Sequence, residues 1–199
     1  MITLLQVIVV CMGVITTTAA ARPAPDNHQD AGLVSDILTK FHQNDYKLKF
    51  ERTELVRFNK QYLKKLEVVT YKYNRTSPVV NITWLFRIDV NDYDVIVQAY
   101  RFASNEYRLF PARLQVGVCG SIKTGAAGLQ TLMHCGNFTG CPYLKDVPTR
   151  ACNWSPDETR FPPFLPDGEY MIEIQAIFRN AELYVVRGYG SIYRPIVKK

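Results

Sequence analysis

Histidine is scarce in this chain, with three in 199 residues, at positions 28, 42 and 134. That scarcity limits general acid–base chemistry, and other catalytic signatures are missing too. No G-x-S-x-G elbow presents a serine nucleophile. Gly188-Tyr-Gly190 is followed by no lysine at phosphate-loop spacing. Asp157 and Glu158 are neighbours in sequence, whereas glycoside hydrolysis needs two carboxyls facing each other across a cleft. No catalytic residue and no cofactor are expected. An enzymatic reading would need His42 or His134 beside a nucleophile in a cleft.

Long charge runs, internal repeats and low-complexity tracts are absent as well. The net charge of +6 is scattered, apart from Lys64-Lys65 and Lys198-Lys199. It fits anionic lipids or glycans, or plain solubility. Past the first 21 residues no apolar run reaches the roughly 20 residues of a membrane span. The best later run, VVNITWLFRIDV, alternates and is broken by Arg87 and Asp89. The amino terminus differs: residues 2–15 are mostly apolar, no charged side chain precedes Arg22, and Ala19, Ala20 and Ala21 supply small residues for cleavage. These features predict a signal peptide over 1–21, cut after Ala20 or Ala21. The mature protein is then secreted, without a membrane span, and a nucleic-acid partner is not expected.

Beyond the expected signal peptide, cysteine is confined to a short stretch. Once Cys11 leaves with the signal peptide, Cys119, Cys135, Cys141 and Cys152 remain, separated by 15, 5 and 10 residues. Zinc sites pair their ligands two to four residues apart, and redox dithiols favour a two-residue spacing, so no metal site is expected. An even number of cysteines in an oxidising compartment reads as two disulfides, and three pairings are open. Each bridge closes a loop of roughly 15 to 35 residues and contributes about 3 kcal/mol. Acceptor sequons at Asn74, Asn81, Asn137 and Asn153 also point to secretion. Pro156 makes the last a poor acceptor.

What is abundant is apolar and aromatic character, 47% and 12% of the chain. About 180 mature residues suit one domain with a substantial core. Residues 22–45 read as a polar, proline-containing leader. Within it Leu33, Val34, Ile37, Leu38 and Phe41 fit a short amphipathic helix or an apolar leader packed on the domain. From Tyr46 the period is two. Val80, Ile82, Trp84, Phe86, Ile88 and Val90 share one face, with Asn81, Thr83, Leu85, Arg87 and Asp89 on the other. VNDYD reads as a turn into a hairpin partner, YDVIVQAYRF. A second hairpin runs from Tyr170 through the RNAE turn to LYVVRGYGSIYR. Between Cys119 and Cys135, Ile122, Leu129, Leu132 and Met133 fit one face of a short helix or an irregular loop. SPDETRFPPFLPDGEY reads as extended. Together these features predict an all-β antiparallel sandwich of residues 46–199, with a helical or irregular insertion near 120–134. Trp84, Phe86, Tyr100, Phe102, Tyr170, Ile172, Ile174 and Phe178 are the inward candidates, filling a core or lining a pocket.

YKYNRTSPVVNITWLFRI, the VCGSI around Cys119, NFTGCPYL and LPDGEYMIEIQAIF carry a resemblance to a secreted family expanded in insects. That family is a domain of unknown function related to the lipid-recognition (ML) sandwich, and to the insect chemosensory relatives of the ganglioside activator protein. The resemblance implies an immunoglobulin-like (ML/E-set-like) sandwich that carries a lipid or other hydrophobic small molecule, or meets a membrane receptor. It also implies the pairing Cys119–Cys141, with Cys135–Cys152 following. Many relatives carry cysteines in the first two strands, and none lies here between Tyr46 and Tyr73. The expected function is binding of a hydrophobic molecule between the sheets. The alternative is an extracellular protein-interaction module with a filled core.

Overall fold

The computed structural model describes residues 42–73 and 78–195. The expected signal peptide, most of the leader with its 33–41 segment, the Asn74 sequon and Lys198-Lys199 lie outside them. The described residues form eight strands: β1 (Lys47–Phe58), β2 (Leu63–Lys72), β3 (Pro78–Phe86), β4 (Asp94–Ala103), β5 (Glu106–Gly117), β6 (Thr149–Trp154), β7 (Gly168–Phe178) and β8 (Ala181–Tyr193). A helix, α1 (Val118–Thr124), and a 3-10 segment, Ala126–His134, follow β5. Two antiparallel sheets result, β1-β8-β7-β4-β5 and β2-β3-β6. The fold is an all-β sandwich.

The β7–β8 hairpin closes through Arg179 and Asn180, both at positive φ (49° and 62°), the two-residue turn whose twist matches its strands. Ser104 and Asn105 do the same between β4 and β5. β3 and β4, however, are not a hairpin. β3 pairs with β2 and β6, whereas β4 pairs with β5 and β7 in the other sheet. β3 stops at Phe86, and the chain crosses between the sheets. Val90 and Tyr93 are buried on the way, and Val90 exchanges backbone hydrogen bonds with Tyr143 (2.8 and 2.9 Å). The Asp92 carboxylate accepts from the Tyr93 and Cys119 amides (2.8 and 3.0 Å), fixing the crossing to the start of α1.

Both faces of β4 are apolar, and this decides where its aromatics go. Val95 and Val97 face Ala176 and Ile174 in the core, so strict alternation puts Ile96, Gln98, Tyr100 and Phe102 on the outer face. Tyr100 and Phe102 are therefore on the outer face, contrary to the expectation that they point inward. Phe102 instead packs on Tyr107 outside (5.1 Å between ring centroids). Two smaller expectations also change. Met133 is exposed, because the insertion kinks at Ala127 and Gly128, and 3-10 stacking aligns Leu129 with Leu132 but not with Met133. The 155–170 stretch is not extended throughout: Glu158–Arg160 is a 3-10 turn, capped by the Asp157 carboxylate accepting from the Thr159 amide.

The interior holds two separate clusters. The larger joins Leu66, Trp84 and Phe86 of the small sheet to Val95, Val116, Ala176 and Leu183, with Ile122, Leu132, Phe138 and Tyr143 from the insertion and the loop after it. The smaller packs Tyr46, Tyr170 and Ile192 with Leu48, Phe110, Phe161 and Leu165. Trp84 meets Phe138 edge-on at 5.0 Å and Tyr143 at 6.0 Å. Replacing Trp84 by Ala should cost about 3–5 kcal/mol in urea unfolding with the disulfides intact. Leu109→Ala, at an exposed site, should stay within about 0.5 kcal/mol.

Candidate functional site

The four cysteines secure the segment between β5 and β6. Cys119 is bonded to Cys141 and Cys135 to Cys152. In the stretch CGNFTGCPYL the two cysteines thus serve different bridges, and two of the five residues between them, Asn137 and Phe138, face opposite ways. Phe138 is buried against Trp84 and stacks on Tyr143 (5.7 Å). Asn137 is exposed, and its side chain closes the loop by donating to the Pro148 carbonyl (2.9 Å) and accepting from the Arg150 amide (2.7 Å). Asn153 is exposed and Asn81 half-buried, linked through the Asn153 amide donating to Asn81 Oδ1 (3.0 Å).

The polar residues singled out from sequence serve the scaffold. Glu158 holds the start of β1, pairing with Lys47 (2.8 Å) and accepting from the Leu48 amide (2.6 Å). Buried Gln43 donates to the Glu158 carbonyl (2.6 Å) and ties the residues before Tyr46 into the domain. His42 and His134 are both exposed. Among the described residues no group of three or more His, Cys, Asp or Glu is placed to hold a metal, and no helix is long and apolar enough to cross a membrane. Inside the larger cluster Tyr93 and Tyr184 share a 2.7 Å hydroxyl contact, and burial pushes the Tyr184 hydroxyl up to about 12. Burial raises the Tyr93 hydroxyl as well.

The inward candidates separate by position. Trp84, Phe86, Ile174 and Phe178 belong to the larger packed cluster, and Tyr170 to the smaller one. Ile172 belongs to neither. It lies in the row Thr53–Gly188–Ile172–Ala99 across β1, β8, β7 and β4. This row faces the small sheet, because Thr53 donates its amide to Thr70 Oγ1 (2.8 Å) and meets it hydroxyl to hydroxyl (2.7 Å). At Gly188, itself half-buried, the space on this face is open: a Cβ placed there would meet no atom within 4 Å. In a close-packed interior that position would be in contact. At Gly190, by contrast, a Cβ would come within 2.9 Å of the Lys49 carbonyl oxygen.

An open cleft of about 640 Å³ lies at the same level, between β1 and the β2–β3 end. It is lined by Lys49, Phe50, Glu51, Arg52, Thr70, Tyr71, Lys72 and Pro78. Thr70 is thus shared: it lines the cleft and holds Thr53, the ladder partner of Gly188. Sequence reasoning missed Phe50, Thr70 and Gly188. Glycine inside a strand was the available signal, since it marks missing side-chain volume or a close backbone approach. On the outer face of the large sheet Tyr107 also packs on Tyr189 (5.8 Å), and Arg52 sits 4.0 Å above the Tyr189 ring.

Residues 94–172, from the start of β4 into β7, match the model of a family described as a protein of unknown function (DUF1091). No curated protein matches the sequence. Among solved structures, the crystal structure of the C-terminal domain of wzt aligns over 79% of this chain and 82% of its own, at 7% identity and a TM-score of 0.28. A likeness that low carries no argument for fold or function.

Peptide mapping without reduction should return Cys119 linked to Cys141 and Cys135 linked to Cys152. A peptide joining Cys135 to Cys141 would contradict this description of the loop.

Proposed function

We propose that this protein is a secreted, non-catalytic binding module that holds an apolar small molecule, a lipid chain above all, between its sheets. The observation that carries the reading is the unfilled space at Gly188, set between two packed clusters. The adjoining cleft has a volume within the range of small-molecule sites. Its lining includes Thr70, whose hydroxyl bonds both the amide and the hydroxyl of Thr53. Two disulfides fit an oxidising compartment. The acceptor sequons at Asn81 and Asn137 fit it as well, and the resemblance to the lipid-recognition sandwich points the same way.

A second reading rests on a different surface. Phe102 (37% exposed), Leu109 (69% exposed) and half-buried Tyr107 form an apolar patch on the outer face of β4 and β5, suited to contact with another protein.

Titration with an environment-sensitive fluorescent fatty acid separates the two. Native protein should take up the probe. Gly188→Leu, which fills the space, should weaken binding at least about tenfold while retaining cooperative unfolding. Uptake unchanged by Gly188→Leu but lost in Phe102→Ser/Leu109→Ser would move the site to the outer face. No uptake at all would remove the lipid reading.

A further inference from the structure

The charges at the mouth of the cleft say something about the occupant. Lys49 on β1 and Lys72 on β2 line opposite walls, both exposed, with Arg52 beside them and Glu51 as the acidic side chain among the lining residues. The guanidinium of Arg52 is engaged over the Tyr189 ring on the outer face. Among the described residues neither lysine takes part in an ion pair, although Lys47, Lys64 and Lys65 all do. The rest of the lining is of a different character: Phe50, Tyr71 and Pro78 supply apolar wall, and Thr70 contacts Thr53, the ladder partner of Gly188. Cationic groups at the rim and apolar surface within are complementary to an amphiphile, not to a neutral hydrocarbon. An ammonium on a long flexible stem follows an anion at the surface while its methylenes stay against apolar atoms.

Resting on the reading above, we infer that the ligand is an amphiphile with an anionic head. Its chain lies between the sheets at Gly188, and its carboxylate or phosphate lies at the mouth between Lys49 and Lys72. Two partly screened charge contacts of this kind correspond to about a tenfold preference over the uncharged analogue.

The experiment displaces a fluorescent fatty-acid probe from the native protein with palmitate, hexadecanol and a lysophosphatidate of the same chain length. It is repeated with Lys49→Gln/Lys72→Gln and with Lys49→Arg/Lys72→Arg. The expected result is that the anions bind about tenfold better than hexadecanol. That preference should vanish in the Gln pair, persist in the Arg pair and shrink as ionic strength rises, with hexadecanol affinity unchanged throughout. A preference for palmitate over lysophosphatidate, or the reverse, supports the inference and assigns the head as carboxylate or phosphate. Equal binding of hexadecanol and both anions overturns the inference and leaves the inter-sheet site standing. An equal loss of all three compounds in the Gln pair overturns it too, because the lysines would then act on the scaffold. Failure of all three compounds on native protein overturns the site itself.

Discussion

A five-stranded sheet facing a three-stranded one leaves part of its inner face without a partner, and the rest of the molecule is organised around that mismatch. Uncovered, the inner face of β4 and β5 would leave Val95 and Val116 in water, and each buried side chain of that size contributes about 1.5–3 kcal/mol. The residues between β5 and β6 provide the cover. α1 and the 3-10 segment bring Ile122 and Leu132, and the loop after them brings Phe138 and Tyr143 against Trp84. Such irregular chain has few ladder hydrogen bonds of its own to hold it. Cys119–Cys141 and Cys135–Cys152 tie it down at four points. Gly125, at φ 69°, ends α1 and accommodates the reversal.

The opposite edge is closed far more lightly. β1 and β2 belong to different sheets and are joined there by the Thr53 amide and hydroxyl, both bonded to Thr70 Oγ1. The aromatic core therefore sits toward the disulfide-linked side, while the end near Tyr46 is sealed separately by Tyr170, Phe161 and Leu165. Two cores sealed from different sides leave the row between them, at Gly188 and Ile172, less filled. A binding site at that row needs no catalytic groups. The polar residues that drew attention in the sequence, Asp157 and Glu158, are occupied with a 3-10 turn and with the start of β1.

How much of this was legible depended on whether a residue's role was local. The β7–β8 hairpin could be read because alternation and turn chemistry agree over adjacent residues. The supposed β3–β4 hairpin misled because Asn91 and Asp92 are turn formers whether a chain folds back or crosses between sheets. The arbiter was the distant pairing of Val90 with Tyr143. Tyr100 and Phe102 were ambiguous because β4 is apolar on both faces, so period two says which residues share a face but not which face is buried. β6 is only six residues long and lies between Pro148 and Pro156, too short for a periodic signal. The space at Gly188 was the least legible feature. A glycine in a strand marks either a close approach or a gap, and only the facing sheet decides between them.

A ligand chain in the inter-sheet row at Gly188 is the proposal on which the binding reading rests. Isotope-filtered NMR on the protein loaded with carbon-13-labelled palmitate tests it most directly. Cross-relaxation is expected from the acyl chain to the Ile172 and Thr70 methyl groups. Contacts confined to Leu109, Phe102 and Tyr107 on the outer face would contradict it.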